Sequence, residues 1–353
     1  MAVGAAQFCV TEMIPSGVAN WDKEDTMTMS RLGERLRIRA GTEAFGFAAL
    51  FMTVVPAHAD PYSVTAGSDL IGGARTHTAV ADDTLIKVAE THRLRVADVI
   101  AANPGIDPWL PGANVVLVLP TIHILPDSPR EDLVINLPEQ RVYQYLPDDR
   151  VRLFPFSIGH DGCRFQVGEA NVKKRRRKPS WRPPADVRAR RPDLPEVVPP
   201  GPRNPLGEYA LDLALPGRII HGAARPFSGR ADGTGCVQVY PEDAKNLYLS
   251  SAPGMKVRVV NQPVKFGWSA GELFMEAHPT QDQAGEAALG GSSAPVKLTD
   301  LNELLEKAAG DEVSRVDRSL VRKTARESRG VPVRITRDRT PPKSKKVRGL
   351  FGD

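Results

Sequence analysis

Residues 133–158 read LVINLPEQRVYQYLPDDRVRLFPFSI and indicate the architecture of the central part of the chain. Apolar and polar side chains alternate along Leu133–Leu137 and Arg141–Tyr145, which is the period of a half-buried β-strand. Pro138-Glu139-Gln140 separates the two segments as a turn, and Arg152–Ile158 has the composition of a third strand. These residues therefore predict β structure.

The same pattern continues toward the C-terminus in shorter segments. Further strands are expected at Tyr209–Leu213, Arg218–His221, Cys236–Val239 and Lys256–Val260, with one short helix at Asp243–Leu249. The chain has 353 residues, of which 31 are proline and 41% are apolar, a composition that favours turns and strands over long helices. We therefore predict a mainly β domain over residues 128–262.

A smaller unit precedes this domain, at residues 75–121. Its expected elements are a strand at His77–Val80, a helix that carries Leu85, Val88 and Ala89, a second helix at Val96–Ala102 and a strand at Val115–Leu119. Asp82 or Asp83 can cap the first helix, and Asn103-Pro104-Gly105 ends the second. The predicted order is strand, helix, helix, strand, and we call this the βααβ unit.

Residues 1–59 have the pattern of an export signal. Arg31, Arg35, Arg37 and Arg39 precede the short apolar run Ala44–Val55, and Ala57-His58-Ala59 fits a cleavage site. The run is too short for an ordinary bilayer span. We expect translation to begin at Met27 or Met29, with Met29 favoured, so that residues 1–28 precede the true start, and we expect a periplasmic location. The alternative is that the apolar run is a buried amphipathic helix.

Four further segments complete the expected organisation. Residues 60–74 form a linker, residues 263–297 an extension and a Gly/Ala/Ser-rich linker, residues 298–332 a helical region, and residues 333–353 a basic disordered tail. With the βααβ unit and these helices, the predicted fold class is α+β overall.

The charge of the chain favours an anionic partner. The formal net charge is +5, which suits cell-wall polymer, lipid headgroups and nucleic acid alike. The basic run Lys173–Lys178 fits a solvated face or a wall-contact patch, because no aromatic stacking platform is interleaved with it. Together with the export signal, this argues against nucleic-acid binding. We also expect no stable membrane span once the signal is removed.

Residues 219–244 read IIHGAARPFSGRADGTGCVQVYPEDA and contain the candidate chemistry. A cysteine nucleophile needs a nearby imidazole that holds it as thiolate, and backbone N–H groups that face a developing oxyanion. His221-Gly222 and Thr234-Gly235-Cys236 supply these groups. If the two elements meet in the fold, the pattern predicts an acyl-transfer enzyme.

Three simpler interpretations stand beside this hypothesis. A single cysteine in a β-domain is usually a small core residue, and a single histidine is usually a core residue with satisfied hydrogen bonds. Cys163 and Cys236 can also form a disulfide, which would block the nucleophile. The glycines beside His221 and Cys236 favour the chemical interpretation. So does export, because an exported protein that keeps an unpaired cysteine runs a risk of oxidation.

The βααβ unit resembles a LysM module. The matching residues are HTAVADDTLIKVAETHRLRVADVIAANPGIDPWLPGANVVLVLP, in which Asp83-Thr84-Leu85, Asn103-Pro104 and Leu119-Pro120 fall where that family has them. LysM modules bind glycans that contain N-acetylglucosamine, so the resemblance implies binding to the glycan of peptidoglycan. The alternative is a structural cap on the next domain that no longer binds sugar.

Residues 128–278 resemble the L,D-transpeptidase catalytic domain of the YkuD or ErfK/YbiS/YcfS/YnhG type. The resemblance is carried, in the family's order, by VINLPEQRVYQYLPDDRVRLFPFSIGHDG, KPSWRPPADVRA, PEVVPPGPRNPLGEYAL, IIHGAARPFSG, GTGCVQVYPEDA and VRVVNQPVKFGW. It implies a YkuD-like β-sandwich and a cysteine acyltransferase.

The resemblance also implies roles for individual residues. Cys236 matches the nucleophile and His221 the general base, whose far ring nitrogen is oriented in the family by a backbone carbonyl. Gly235 and Thr234, with the Cys236 amide, match the positions that shape the oxyanion hole. Gly222 follows the base, where a side chain would crowd the approach.

Two positions depart from the family pattern. Gly233-Thr234-Gly235-Cys236 stands where the family usually has Ser-His-Gly-Cys, and Gln238 stands where it usually has an arginine that can pair a substrate carboxylate. Glutamine offers only neutral hydrogen bonds, so the departures bear on efficiency or substrate choice. Arg225 and Asn204-Pro205 either line the substrate groove or only form turns.

The implied reaction acts on peptidoglycan stem peptides. Cys236 attacks the carbonyl of the diamino acid at position three of a tetrapeptide stem, and D-alanine leaves. An amine of a second stem, or of a wall-anchored lipoprotein, then takes the thioester, and water as acceptor would give a carboxypeptidase. No metal or cofactor is expected, since no ligand spacing is visible in the sequence. The alternative is a non-catalytic peptidoglycan-binding protein with a degenerate transpeptidase domain.

Overall fold

The computed structural model describes residues 61–158, 167–215, 218–222, 237–280 and 298–338. The predicted export signal, Cys163 and residues 223–236, which include Arg225, Thr234, Gly235 and Cys236, therefore lie outside the described residues.

The strands, in chain order, are β1 (Tyr62–Ser63), β2 (Leu70–Gly72), β3 (Arg75–Thr78), β4 (Val116–Leu119), β5 (Ile122–Ile124), β6 (Leu133–Asn136), β7 (Arg141–Leu146), β8 (Arg150–Ile158), β9 (Gly168–Arg177), β10 (Tyr209–Leu213), β11 (Ile219–Gly222), β12 (Val237–Val239), β13 (Lys256–Val260), β14 (Val264–Ser269), β15 (Glu272–Ala277) and β16 (Val333–Arg334). The helices are α1 (Leu85–His92), α2 (Val96–Ala102), α3 (Ala185–Arg190), α4 (Pro241–Ser250), α5 (Leu298–Ala309) and α6 (Arg318–Glu327), and a 3-10 helix, Gly310–Arg315, joins α5 to α6.

Eight of the described strands pair in a closed circuit, in the order β7-β8-β12-β11-β10-β9-β13-β6 and back to β7. Two long strands make the closure possible. β8 pairs with β7 through Arg150–Pro155 and with β12 through Phe156–Ile158. β9 pairs with β13 through Gly168–Asn171 and with β10 through Val172–Arg177. Each long strand thus pairs with a different neighbour in each half of its length, and this joins the two β layers.

The inward-facing side chains of both layers form one apolar core. It includes Leu133, Ile135, Val142, Phe154, Phe156, Leu211, Ile220, Val237 and Val257, and it receives Leu247 from α4. Burial of each such side chain contributes about 1.5–3 kcal/mol, so this core is the main source of stability of the β domain. The mainly β domain predicted from the sequence is confirmed.

The βααβ unit has the predicted order of elements, β3, α1, α2 and β4. The first helix begins differently from the prediction, because its cap is Thr84, whose Oγ1 accepts a hydrogen bond from Lys87 N at 3.0 Å. Asp83 instead accepts one from His77 Nε2 at 2.8 Å. At the end of α2 the Asn103 side chain is bonded to both backbone groups of Val118, which ties the helix to β4.

The predicted linker at residues 60–74 and the start of the predicted tail contain paired strands, which corrects two expectations, and the predicted extension after residue 262 contains a hairpin. β1 and β2 lie within residues 60–74 and pair with β8 and β5. β14 and β15 form a hairpin within residues 263–297. β16 pairs with β15, and Ile335 and Thr336 after it are 1% and 5% exposed, so residues 333–338 are ordered rather than part of a disordered tail.

The C-terminal hairpin and helices share a second apolar core. Leu273 and Met275 of β15 pack with Leu301 and Leu305 of α5 and with Val321 of α6. The helices α5 and α6 lie within residues 298–332, where the sequence predicts a helical region. Among the described residues, every helix is too short or too polar to cross a membrane.

The βααβ unit is fastened to the β domain by polar contacts. Arg93 Nη1 lies 3.3 Å from Asp243 Oδ1 in the first turn of α4. The Tyr240 hydroxyl, just before α4, donates to the Leu94 carbonyl at 2.9 Å. Because α4 directly follows β12, these contacts place the unit beside the strand that follows the predicted nucleophile.

Candidate functional site

One row of residues crosses four adjacent strands. Ala210 on β10 is the register partner of His221 on β11, His221 is the partner of Gln238 on β12, and Gln238 is the partner of Ser157 on β8. Ile220, the neighbour of His221 along its strand, belongs to the apolar core. Since side chains alternate between the two faces of a strand, the row faces away from that core.

The row is nevertheless covered. His221 has no exposed surface, and Ala210 and Gln238 are 1% and 3% exposed. Its polar members are a hydroxyl, a carboxamide and an imidazole, so His221 has no charged register partner.

The His221 ring is oriented by the backbone next to it. Its Nδ1 lies 3.3 Å from the Gly222 carbonyl oxygen. A carbonyl can only accept a hydrogen bond, so this contact requires the proton on Nδ1 and makes Nε2 the nitrogen that can take up a proton. This is the protonation pattern of a general base held by a carbonyl rather than by a carboxylate.

Gly222 packs closely against α4, a contact that the sequence does not reveal. A Cβ on Gly222 would lie 3.1 Å from Ala244 Cβ and 3.3 Å from Pro241 Cα. It would therefore press on the first turn of α4, and the predicted crowding of the approach to the base stays a prediction. The absence of a side chain lets α4 pack closely against β11.

Asn204 and Pro205 belong to a turn. Asn204 is 5% exposed, and its Nδ2 donates to the carbonyls of Pro179 and Pro199 at 2.8 and 3.0 Å. Its Oδ1 accepts from Leu206 N at 2.9 Å. Of the two interpretations of Asn204, a groove residue or a turn residue, these contacts favour the turn.

The basic run Lys173–Lys178 presents the solvated face that was expected, since all its residues are exposed except the half-buried Arg176. Most of it lies in β9. Arg175 Nη1 donates to the Ser251 carbonyl at the end of α4 at 2.9 Å, where a cation stabilises a helix C-terminus. Arg176 pairs with Asp212 on β10 at 2.7 Å. The arginines of the run therefore have structural partners.

The sequence reasoning missed a buried ionic cluster, made of Asp98, His123, Glu139, Arg141, Lys265, Glu276 and His278. Lys265 Nζ lies between Glu139 Oε2, at 2.9 Å, and Glu276 Oε2, at 3.1 Å. His278 Nε2 lies 2.8 Å from Glu276 Oε1. The one sequence signal was a charged pair in opposite strands, since Lys265 and Glu276 are register partners in β14 and β15.

Two of the three carboxylates of this cluster, Glu139 and Glu276, remain charged despite their burial. Burial alone raises the pKa of Glu139, but the attraction of Lys265 and Arg141 outweighs it and brings the pKa to about 2. The pKa of Glu276 is likewise held well below its usual range by Lys265 against the effect of burial. Burial, with the repulsion of Arg141, lowers the pKa of His123. Positive and negative groups thus balance within the cluster.

Three residues of the cluster have the donor types of a metal site. The ligand atoms of His123, Glu139 and Glu276 lie within 4.8 Å of one another. However, the ammonium group of Lys265 contacts both carboxylates, and the Tyr143 hydroxyl donates to Glu139 Oε1 at 2.5 Å. A metal ion would have to displace these groups, so the donor set fits a structural cluster better than a metal centre.

The structure brings together some of the residues predicted from the sequence. His221 and Gln238 are neighbours, and Gly222 supplies the carbonyl that holds the imidazole. Cys236, Thr234, Gly235 and Arg225 lie outside the described residues.

Comparisons with known proteins point to one family. The sequence model described as "YkuD: L,D-transpeptidase catalytic domain" matches residues 130–259. Three relatives from Escherichia coli (strain K12) match most of the chain. Probable L,D-transpeptidase YcfS is 31% identical over 85% of this chain and 96% of its own length. Probable L,D-transpeptidase YbiS is 32% identical over 77% of this chain and 90% of its own length. Probable L,D-transpeptidase ErfK/SrfK is 30% identical over 76% and 88%, respectively.

Proposed function

This chain belongs to the L,D-transpeptidase family, and on that premise we propose that it acts on peptidoglycan stem peptides, with Cys236 as the nucleophile and His221 as the general base. The transpeptidase activity is an acyl transfer. The observation that carries the proposed roles is the contact of His221 Nδ1 with the Gly222 carbonyl at 3.3 Å, because it leaves Nε2 to exchange a proton with a thiol.

The position of Cys236 in the sequence supports its assignment as the nucleophile. It directly precedes Val237, the first residue of β12, and lies two residues before Gln238. Residues two apart in extended backbone point to the same face, and Gln238 is the register partner of His221. An extended backbone through Cys236 would therefore direct its thiol to the face that carries the imidazole.

The proposed reaction has two steps, each with a proton transfer through His221. The Cys236 thiolate attacks the carbonyl carbon of the diamino acid at position three of a tetrapeptide stem. The peptide bond to D-alanine breaks, and protonated His221 gives its proton to the leaving amine. An acceptor amine then attacks the thioester, loses a proton to His221, and releases the Cys236 thiolate. Backbone N–H groups at Thr234, Gly235 and Cys236 would stabilise the oxyanion in both steps.

The acceptor determines the product. The amine of a second stem gives a 3-3 cross-link, and a lysine amine of a wall lipoprotein gives lipoprotein attachment. Gln238 and Arg225 are proposed as substrate contacts. Gln238 offers neutral hydrogen bonds where a charged partner is usual in the family, so we expect it to influence the choice of donor stem more than the chemical step.

We propose that the βααβ unit binds the glycan strands as a LysM module. Its surface carries an unusual set of exposed apolar side chains, in which Val80, Trp109 and Leu110 are 58%, 66% and 75% exposed. Exposed aromatic and aliphatic groups of this kind suit the apolar faces of sugar rings. The substrate and the export signal predicted at residues 1–59 are both consistent with a periplasmic location.

The experiment that tests the proposed function is acylation by a carbapenem, followed by mass spectrometry of the intact protein without residues 1–59. We expect wild type and Cys163→Ala to gain the mass of one carbapenem, Cys236→Ser to gain none, and His221→Ala to react far more slowly. The competing function, a non-catalytic peptidoglycan-binding protein, is motivated by Thr234 and Gln238. An unmodified wild type that behaves like His221→Ala would establish it. If the wild type is acylated, analysis of muropeptides from cells without the gene would identify the acceptor.

A further inference from the structure

We propose that Gly207 is a positioning residue, which holds the Gly222 carbonyl against the His221 ring and thereby fixes the tautomer of the imidazole. The proposal rests on the proposed function, in which His221 Nε2 is the base. It gives a role to the Asn204–Gly207 turn, which precedes β10 in the chain and reaches the backbone of β11.

The distance between the two glycines is the first observation. Gly207 has a φ of +66°, and a Cβ placed on it would lie 2.4 Å from the Gly222 carbonyl oxygen and 3.2 Å from the carbonyl carbon. Both atoms are backbone, so no side-chain rotation relieves the contact. Only glycine allows the turn to approach this carbonyl so closely.

The turn cannot easily move away from the carbonyl. Gly207 N donates to the Asn204 carbonyl at 3.1 Å, and the buried Asn204 side chain is bonded to backbone groups on both sides of it. Leu206, between them, is 1% exposed. A displacement of Gly207 would therefore break its hydrogen bond to Asn204 and disturb the buried bond of Leu206 N to Asn204 Oδ1 beside it.

Gly222 is confined on its other side as well. It is paired with Val239 of β12, and its Cα faces Ala244 and Pro241 of α4, as the contacts of an added Cβ show. The carbonyl thus lies between a fixed turn and a fixed strand. Its direction determines whether His221 Nδ1 keeps a hydrogen-bond acceptor, and hence which ring nitrogen carries the proton.

The test compares substitutions at Gly207 with the same substitutions at Gly271. Gly271 also has a left-handed φ, +77°, but nothing lies within 4 Å of an added Cβ. Gly207→Ala adds both strain and contact, and Gly207→Asn adds the contact with less strain because asparagine tolerates this conformation best. Gly271→Ala and Gly271→Asn add the strain alone. Two quantities are measured, the His221 tautomer by ¹⁵N NMR and the pH profile of carbapenem acylation.

We expect wild type and both Gly271 variants to have the proton on Nδ1 at neutral pH. The Gly207 variants should show a mixture of tautomers and a shifted pH profile, with acylation slower by about 10–100-fold, the scale on which small displacements of a reacting group act. A wild type with the proton on Nε2 would overturn the proposal without any variant. So would Gly207 variants that keep the wild-type tautomer and rate. A wild type that is not acylated at all would instead refute the proposed function, while the tautomer still tests the role of Gly207.

Discussion

His221 and His278 are both buried, and their hydrogen-bond partners differ in charge. His221 Nδ1 faces the neutral Gly222 carbonyl at 3.3 Å. His278 Nε2 faces the Glu276 carboxylate at 2.8 Å, within a cluster that also contains Lys265. The first histidine lies in a row of neutral groups, and the second lies among balanced charges.

With His221 as the proposed base, the difference would separate a histidine that serves chemistry from one that serves structure. In the ionic cluster each charge depends on the others, so a change of protonation at one group would leave a partner buried and uncompensated. In the neutral row, the Gly222 carbonyl and the register partners of the imidazole are uncharged. Burial by itself therefore does not distinguish the two roles, and the nature of the partner does.

The largest expected effect separates the two histidines directly. His221→Gln removes the proposed base and should lower the rate of acylation about 10²–10⁴-fold, the usual contribution of a general base. His278→Gln keeps a donor for Glu276 and should leave that rate within a few-fold of wild type. Both rates are measured by intact mass against time. Equal loss of activity in the two variants would mean that the partner does not determine the role.

The next effect tests the balance of charge in the cluster. Lys265→Met removes the cation between Glu139 and Glu276 and should destabilise the protein by about 3–5 kcal/mol, the cost of leaving a buried charge without its partner. Urea unfolding at neutral pH measures it. Lys256→Met is the matched control, because Lys256 pairs with Glu131 at the same distance, 2.9 Å, but on the surface. It should have no measurable effect. A small effect at both positions would show that the cluster is not held by its charges.

The sequence predicts some strands of this molecule and not others. The strands β6, β7, β8, β10 and β13 could be predicted because their apolar side chains recur with the period of a strand. β9 could not, since GEANVKKRRR has a single buried apolar residue, Val172. Its place depends on pairing with β13 and β10, which are distant in sequence.

The site divides in a similar way. His221, Gly222 and Gln238 could be singled out because they lie in one short motif. The ionic cluster could not, because Asp98, Glu139 and Lys265 come from three separate parts of the chain. The cap of α1 is a local example. Threonine and aspartate can both cap a helix, and the sequence alone does not show that Asp83 is bonded to His77, which leaves Thr84 as the cap.

A smaller effect tests the contact that α4 makes with the neutral row. Gly222→Ala would bring two methyl groups to 3.1 Å and should cost about 1–3 kcal/mol, as overpacking does. Ala244→Gly removes the opposing methyl and costs about 1 kcal/mol for glycine in a helix. If the contact is the cause, the double variant should be more stable than the sum of the two single changes predicts. A double-mutant cycle of urea unfolding measures this, and strict additivity would mean that Gly222 is needed for another reason.

The last effect depends on pH and concerns Asp243, a buried acid outside the ionic cluster that pairs with one cation, Arg93. Burial raises its pKa from 3.8 to about 7, and Arg93 opposes the shift without overcoming it, whereas in Glu276 the attraction outweighs burial. The folded protein therefore keeps a proton that the unfolded chain releases. The stabilisation from this proton is fully present below pH 4 and is lost as the pH rises through 7, by at most about 1.4 kcal/mol per pH unit.

Asp243→Asn removes this titration, so its stability relative to wild type should rise between pH 4 and pH 7 and then stay constant. Urea unfolding over that range measures the difference, and the exposed Asp311→Asn should show no such rise. A difference that is independent of pH would mean that Arg93 compensates the buried carboxylate as fully as Lys265 compensates Glu276. The number of cations would then not be what separates Asp243 from the ionic cluster.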